Sequence, residues 1–234
     1  ETGFELNAYM ATNAAIEKGF RSVKDFPGKR LGITTAGSTF HYSLGLIARK
    51  YGFDPASVTL VPLQTLPNMQ AAFKGAQVDA VIVPVTLARA LEADKAGKIL
   101  AWVGDETPWQ LGALFTSPRA ISEKRDLVER FVRGYLRGAA DFNAAFNQRD
   151  AAGKEVHGTR FAETIGVVAR AVQQPPELVT IGLPYVDAGG RLDVGDIYGQ
   201  IAFWQQAGLV GRDVNGKEIV DLSFVRGHMN VPKG

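Results

Sequence analysis

Hydrophobic and polar positions alternate between two periods across the first half of the chain. Four short β-branched and apolar runs have the length and composition of β-strands: residues 31–35, 58–63, 78–83 and 99–103. Three segments between them carry apolar residues at helical spacing: residues 40–51, 66–74 and 85–95. Because strands and helices alternate at this spacing, the pattern predicts βαβ units around a parallel sheet.

After Gly104 the pattern changes to one that is dominated by helices. One more apolar strand is predicted at residues 111–116, and Ser122 then precedes a long amphipathic segment as its predicted helix cap. Further helices are predicted over residues 160–172 and after Asp193. The second half is therefore expected to contain few strands of its own.

A sheet-forming insert between helix-rich flanks predicts two lobes. The chain is expected to cross between the lobes twice, near residues 25–28 and near residues 105–110. The inserted α/β lobe then spans residues 28–107, and the terminal lobe combines residues 1–27 with residues 108–234.

The terminal lobe is expected to lack part of its N-terminal portion. Residues 5–15 are predicted to form a single strand without a helix, and residues 111–116 are the only other strand of this lobe. The chain starts at Glu1 with no initiator methionine and no apolar targeting segment. Either a signal peptide has been removed or the chain starts inside a longer protein, and the opening βα units are expected upstream.

Composition narrows the classes of function. With 234 residues and 46% hydrophobic content, the chain can bury the core of one or two domains. The net charge is +2 and basic residues are dispersed, so neither a nucleic-acid-binding stripe nor a membrane-surface helix is predicted. The absence of cysteine excludes disulfides, thiolate metal sites and a cysteine nucleophile. The longest apolar stretches are strand-length, so no transmembrane span is predicted.

Three predicted strand ends carry small polar groups. Ligands of open parallel sheets bind outside the carboxyl ends of the strands. At the first of these three ends, Gly37 would allow a ligand to approach the backbone closely. The strand before Gly37 passes directly into a helix, whose N–H groups favour an anionic or carbonyl-bearing small molecule. The candidate ligand-binding residues at these three ends are Gly37, Ser38, Thr39, Phe40, Gln64, Pro84 and Thr86.

Each candidate also has a simpler interpretation. Ser38 can serve only as the cap of its own helix, and Gln64 can be a solvated loop residue. His41 would lie in the first turn of the same helix, where a neutral imidazole could contact the ligand or be a partly exposed helix residue. Trp109 follows Pro108 in the second crossing and could stack on a ligand.

No catalytic or metal-binding pattern accompanies these residues. The histidines form no spaced pair with each other or with acids, so no metal site is predicted. A Ser-His-Asp arrangement stays open, but the chain has no Gly-x-Ser-x-Gly motif. Arg130, Arg133 and Arg137 share one helix face, which is either solvated or a docking surface for a partner.

Several motifs together resemble the periplasmic solute-binding proteins of ABC importers. The similar group includes the binders of nitrate, sulfonate, taurine and thiamine precursors. The motifs that carry the resemblance extend along essentially the whole chain: the DFPGKRLGI segment at 25–33, Gly-Ser-Thr at 37–39, the MQAAFKGAQVDAVI segment at 69–82, the helix at 193–209 and the VDLSF segment at 220–224.

The resemblance implies a two-lobed, type II periplasmic-binding-protein-like α/β fold that closes on its solute by hinge motion. It implies that Ser38, Thr39 and the strand end at Pro84 contact the solute. Sulfonate-binding members often carry an aromatic or acidic residue where this chain has Val83-Pro84-Val85, which puts sulfonate specificity in doubt. The implied protein is an exported monomer in the periplasm, without cofactor, metal or enzymatic activity, that delivers a small polar or anionic organic solute to a membrane permease.

Two alternatives stay open. The chain can be the ligand-sensing domain of a regulator, which a helix-turn-helix upstream of Glu1 would indicate and a signal peptide would oppose. It can also be an enzyme on the same fold, similar to a thiamine-pyrimidine synthase. That chemistry, as the resemblance implies it, needs a donor histidine and an iron site with a cysteine-rich loop, and the chain contains no cysteine. Modification at His41 would favour the enzyme.

Overall fold

The chain divides into two compact units. The computed structural model describes residues 3–224 and 228–229. The first unit comprises Glu1–Pro108 and Ile181–Pro184, and the second comprises Trp109–Thr180 and Tyr185–Gly234. The chain therefore passes from one unit to the other three times.

The first unit contains the predicted alternation of strands and helices. Its strands are β1 (Asn7–Thr12), β2 (Arg30–Ile33), β3 (Thr59–Pro62), β4 (Ala80–Pro84) and β5 (Gly97–Trp102). Its helices are α1 (Asn13–Glu17), α2 (Thr39–Tyr51), α3 (Leu66–Lys74), α4 (Val85–Ala93) and α5 (Val103–Glu106), with short 3-10 turns at Val23–Asp25 and Pro55–Ser57. Four of the strands and helices α2, α3 and α4 lie where the sequence pattern predicts them.

The five strands form one mixed sheet in the order β3-β2-β4-β1-β5. β2 runs parallel to β3 and β4, as predicted. β1 lies antiparallel to both β4 and β5, so the sheet is not wholly parallel.

The predicted single strand at 5–15 is also shorter than expected, because Thr12 Oγ1 accepts a hydrogen bond from Ala15 N and caps α1.

The position of β1 differs from the predicted lobe assignment. The sequence pattern placed residues 1–27 with the helix-rich lobe, but β1 pairs with two strands of the first unit. Residues 8–11 are entirely buried, as expected for a central strand that is covered on both faces. Local periodicity gave no information about this partner, since the paired residues are at least 69 positions apart.

Tyr9 connects β1 to α2. Its hydroxyl donates a hydrogen bond to the Ser43 carbonyl at 3.0 Å, and its ring packs edge-on against Phe26 at 5.9 Å. Burial raises the pKa of Tyr9 above its ordinary value, so the phenol stays protonated. The contact fixes the strand and the helix relative to each other.

A second connection joins the end of α2 to α5. Lys50 Nζ lies 2.6 Å from Glu106 Oε2, and the Tyr51 hydroxyl donates to the same oxygen at 2.5 Å. Burial alone would raise the pKa of Glu106, but the two hydrogen bonds outweigh it and the pKa is lowered. The carboxylate therefore stays ionised near neutral pH and holds α5 against α2.

The second unit is mostly helical in the part of the chain that the structure describes. Its helices are α6 (Pro118–Glu123), α7 (Arg125–Phe146), α8 (Phe161–Val172), α9 (Pro176–Thr180), α10 (Val194–Gln206) and α11 (Gly216–Ile219), with a 3-10 turn at Leu222–Phe224. Its short strands are β6 (Gln148–Arg149), β7 (Glu155–Val156), β8 (Leu192–Asp193) and β9 (His228–Met229). The helices predicted over 160–172 and after Asp193 are confirmed.

The strand predicted at 111–116 is wrong. These residues have no regular secondary structure and are exposed, with Phe115 at 92%. An apolar run becomes a strand only where a neighbouring strand can pair with it. The preceding residue is held instead by α10, since Gln110 N donates to Asp196 Oδ2 at 2.8 Å and Gln200 Nε2 donates to the Gln110 carbonyl at 2.8 Å.

The predicted capping role of Ser122 is also wrong. Ser117 caps α6 by accepting a hydrogen bond from Ala120 N at 3.1 Å, and Ser122 lies inside that helix. α7 starts after Lys124 and has no side-chain cap. A short extra helix with its own serine cap thus precedes the long one.

α7 is the longest helix among the described residues. Arg130, Arg133 and Arg137 are all exposed on one of its faces, and Leu127 and Phe131 are exposed on another, at 52% and 62%.

No helix in the described ranges combines the length and apolar character that a membrane crossing requires.

Gly97 is expected to be essential for the pairing of β5 with β1. A Cβ at this position would overlap the Ala11 carbonyl oxygen and lie 2.6 Å from Phe73 Cζ. Gly97→Ala should therefore lower the free energy of unfolding by about 3 kcal/mol, the upper range for overpacking. Urea unfolding followed by circular dichroism measures this loss.

Gly138→Ala in α7 is the matched control. A Cβ at Gly138 meets no atom within 4 Å, so alanine should leave stability unchanged or raise it by up to about 1 kcal/mol. Equal unfolding midpoints for the two variants would contradict the assigned register of β5.

Candidate functional site

The carboxyl ends of three strands meet at one edge of the sheet in the first unit. Two backbone hydrogen bonds join the ends of β2 and β3: Leu63 N donates to the Ile33 carbonyl and Gln64 N to the Thr34 carbonyl, both at 2.8 Å. β4 pairs with the other side of β2 and ends at Pro84. The structure thus brings the three predicted polar ends to the same edge.

The turn after β2 is shaped by Gly37 and Ser38. Gly37 has a φ of 83°, in the left-handed region that favours glycine. Ser38 Oγ accepts a hydrogen bond from His41 N at 3.4 Å, so Ser38 is the N-cap of α2. The simpler interpretation of Ser38 is therefore confirmed, and its contact with a ligand stays a prediction.

The first turn of α2 presents main-chain donors. Thr39 is exposed, whereas the Phe40 side chain is only 8% exposed and belongs to the core. The backbone N–H groups of Thr39 and Phe40 have no acceptor among the described residues. Phe40 can therefore offer a ligand its main-chain N–H but little of its side chain.

His41 is held in the neutral form. Its Nδ1 accepts a hydrogen bond from Gly37 N at 3.2 Å, which places the ring proton on Nε2. Burial lowers the pKa of His41 below its ordinary value. The residue is therefore an uncharged imidazole at neutral pH, in the first turn of α2.

The end of β3 is strained at Gln64. Gln64 is exposed and has a φ of 67°, a left-handed conformation that is uncommon outside glycine. Thr65 caps α3 by accepting from Asn68 N at 3.3 Å, and Asn68 Nδ2 donates to the Leu63 carbonyl at 2.9 Å. The Asn68 carboxamide thus supports the turn, and Gln64 is the carboxamide that this end presents to solvent.

At the end of β4, the chain passes into α4 without a side-chain cap. Pro84 is half-buried and Thr86 is exposed in the first turn of α4. The returning segment Ile181–Pro184 packs beside this end, since a Cβ on Gly182 would overlap the Val85 side chain. Sequence reasoning missed this segment because nothing in residues 181–184 signals their partner almost 100 positions earlier.

Two tryptophans, Trp102 and the candidate residue Trp109, lie near the predicted second crossing. Trp109 is the first residue of the second unit, whereas the other eight candidate residues belong to the first. Trp102 ends β5 and is half-buried, with the Arg89 guanidinium 5.1 Å from its ring centroid. Arg89 also forms an ion pair with Glu5 at 2.7 Å, so its charge is neutralised locally.

The polar groups of the three strand ends are all uncharged. The segments 34–41, 63–68 and 84–88 contain hydroxyl, carboxamide and imidazole side chains but no lysine, arginine, aspartate or glutamate. No group of three or more metal-ligating side chains occurs in the described part of the chain. The edge can donate and accept hydrogen bonds, with His41 as its one titratable side chain.

Comparison with known proteins places these features in a family. A family model described as NMT1/THI5 like matches residues 7–148. No curated protein matches the sequence.

Solved structures share the fold at low sequence identity. The ligand-binding component of an ABC-type import system from Staphylococcus aureus is 16% identical with a TM-score of 0.63, over 94% of this chain and 70% of that one. The alkanesulfonate-binding protein SsuA from Xanthomonas axonopodis pv. citri, bound to MOPS, is 22% identical with a TM-score of 0.61, over 93% and 70%. The desulfurization enzyme DszB is 13% identical with a TM-score of 0.54, over 94% and 75%.

These matches bear on the predictions from sequence. The α/β fold of periplasmic binding proteins is confirmed, and so is the resemblance to their group that includes nitrate, sulfonate, taurine and thiamine-precursor binders. The chain spans about 70% of the length of the two binding proteins that it matches.

The capping role of Ser38 can be separated from any ligand contact by substitution. Ser38→Ala should lower the free energy of unfolding by about 1 kcal/mol, since the His41 N–H loses its acceptor. Ser38→Asp should keep the wild-type stability, because aspartate is an equally good cap and favours the helix N-terminus. Chemical denaturation measures both, and an alanine variant as stable as wild type would contradict the cap.

The half-buried, neutral state of His41 predicts a dependence of stability on pH. The folded-state pKa lies below the unfolded one, so His41 lowers stability progressively as the pH falls below about 6.5. His41→Gln should remove that part of the slope between pH 7.5 and 5.5. Unfolding free energies of both proteins across this range test the prediction, and parallel profiles would contradict it.

Proposed function

The chain belongs to the NMT1/THI5-like family, and from that premise we propose that it is the substrate-binding component of an ABC-type import system. Its ligand is a small polar or anionic organic solute, which it captures outside the cytoplasm and delivers unchanged to a membrane permease. The structural similarity to the Staphylococcus aureus import component and to SsuA supports this class of function.

One observation carries the proposal. Three strand ends at a single sheet edge present hydroxyl, carboxamide and main-chain N–H groups without a charged side chain. Ser38 and Thr39, in the turn that Gly37 shapes, supply the first end, Gln64 the second, and Thr86 beside Pro84 the third. Such a set can satisfy the oxygens of a solute without transferring a proton to it.

This arrangement favours reversible binding over catalysis. Neutral hydrogen bonds hold a polar head group with moderate strength, which suits a protein that must also release its solute. His41 is the one titratable side chain in these segments, and the chain has no cysteine. We therefore assign no catalytic residue, although one similar structure is an enzyme, DszB.

The proposal extends to location and partners. The protein acts in the periplasm as a monomer, needs no cofactor or metal, and binds a permease rather than nucleic acid. Trp109 belongs to the same proposal as an aromatic contact for the solute. A ligand-sensing domain of a regulator would use the same edge, and a signal peptide in the full gene would favour transport.

A panel of small solutes tests the proposal. Thermal unfolding in phosphate buffer would be followed with MOPS, pentanesulfonate, nitrate, taurine and an uncharged aminopyrimidine. At a concentration of 100 times the dissociation constant, a solute that binds the folded state stabilises it by about 2.7 kcal/mol and raises the melting temperature by several degrees.

Ser38→Asp provides the internal control for the panel. The variant keeps the helix cap, so its melting temperature without solute should equal that of wild type, while an anionic solute should bind it at least tenfold more weakly. Failure of every compound to stabilise the wild-type chain would contradict the proposed function.

A further inference from the structure

We propose that Asn7 is a specificity-determining contact of this site, where its side-chain amide donates to an acceptor oxygen of the solute's polar head group. The inference rests on the proposed function and adds a residue that the sequence pattern did not indicate. Asn7 precedes the first predicted strand end by almost 30 positions, so only the sheet topology brings it into consideration.

The register of β1 places Asn7 at the candidate edge, the end of the sheet where β2, β3 and β4 have their carboxyl ends. β1 runs antiparallel to β4, and Asn7 lies directly opposite Pro84, the last residue of that strand. The neighbouring residue Leu6 accepts a backbone hydrogen bond from Val85 N at 2.9 Å, which fixes the start of β1 against the start of α4. Asn7 is thus at the same edge as the three polar strand ends.

Side-chain alternation along β1 orients Asn7 toward the α2 face of the sheet. Residues two apart in a strand share a face, so Asn7 lies on the face of Tyr9. Tyr9 contacts Ser43, in the second turn of α2. Both β1 and α2 start at the candidate edge. Asn7 precedes Tyr9 by two residues, so it lies toward the first turn of α2, which starts at Thr39.

Asn7 differs from the other asparagines that the structure describes. Each of these uses its carboxamide to support the backbone of a turn or loop: Asn13 donates to Lys95, Asn68 to Leu63 and Asn143 to Val186, while Asn147 accepts from Val186 and Asn215 from Lys217. The Asn7 carboxamide has no hydrogen-bond partner within the described ranges, and the residue is half-buried.

The residue type is unfavourable for its position unless the carboxamide is used. Asparagine is depleted in strands, and β1 is otherwise apolar or small where it is buried. A half-buried amide without a partner keeps donors and an acceptor available at this end of the sheet, on the strand between β4 and β5. Because the group is neutral, it selects by hydrogen bonding and adds no charge to the site.

Two variants of Asn7, with one control variant, test this role. The ligand is the panel compound that wild type binds most tightly among MOPS, pentanesulfonate, nitrate, taurine and the aminopyrimidine. Asn7→Ala should weaken binding about 2- to 10-fold, the usual effect of removing one neutral hydrogen bond. Asn7→Asp should weaken an anionic compound more than tenfold, because it replaces a donor with a negative charge. Isothermal titration calorimetry measures both.

Gln77→Ala is the matched control. Gln77 is an exposed carboxamide before the start of β4, at the opposite edge of the same sheet, so its loss should leave binding unchanged. Melting temperatures should stay close to wild type in all three variants, which separates a lost contact from a lost fold.

The outcomes distinguish this inference from the function on which it rests. Wild-type affinity in Asn7→Ala and Asn7→Asp, with a binding wild-type chain, would overturn the role of Asn7 and leave the proposed function in place. Equal weakening in Gln77→Ala would also overturn it. If wild type binds no compound of the panel, the proposed function fails and the inference fails with it.

Discussion

The pairing of β1 with both β4 and β5 is the constraint on which the first unit depends. It joins a strand from the start of the chain to two strands whose paired residues lie at least 69 positions later, and it includes the completely buried residues 8–11. Without β1, β4 and β5 would have no hydrogen-bonded connection to each other, since they are not neighbours in the sheet. The same pairing makes the start of β1 part of the edge at which the polar strand ends meet.

This edge combines a rigid backbone with uncharged polar groups. Backbone hydrogen bonds from Leu63 and Gln64 to β2 and its extension hold two strand ends in register, and the Tyr9–Ser43 contact holds α2 against β1. The hydroxyls and amides displayed there lie in short turns directly after the strands, which would limit the entropy lost in the proposed binding. Under the proposed function, a neutral site of this kind would distinguish solutes by the placement of their hydrogen-bonding atoms.

Local patterns in the sequence predicted much of the first unit. The bounds of α3 and the location of α2 followed from apolar spacing, and Ser38 was recognised as a cap because serine before a helix is a local signal. What depends on distant pairing was not predictable: the antiparallel β1, the packing of Gly182 beside Val85, and the absence of a strand at 111–116. Three of the predicted site segments meet at one edge because parallel strands end together, whereas Asn7 reaches it by an antiparallel register that no local pattern encodes.

The central claim is that the solute binds at the carboxyl edge of the five-stranded sheet. Amide hydrogen exchange of the chain with and without a saturating solute tests it most directly, since binding slows the opening of the segments that it contacts. Slower exchange is predicted in peptides covering residues 34–41, 63–68 and 84–88, with little change at the opposite edge around Gln77. Protection confined to other segments, with these three unchanged, would contradict the account.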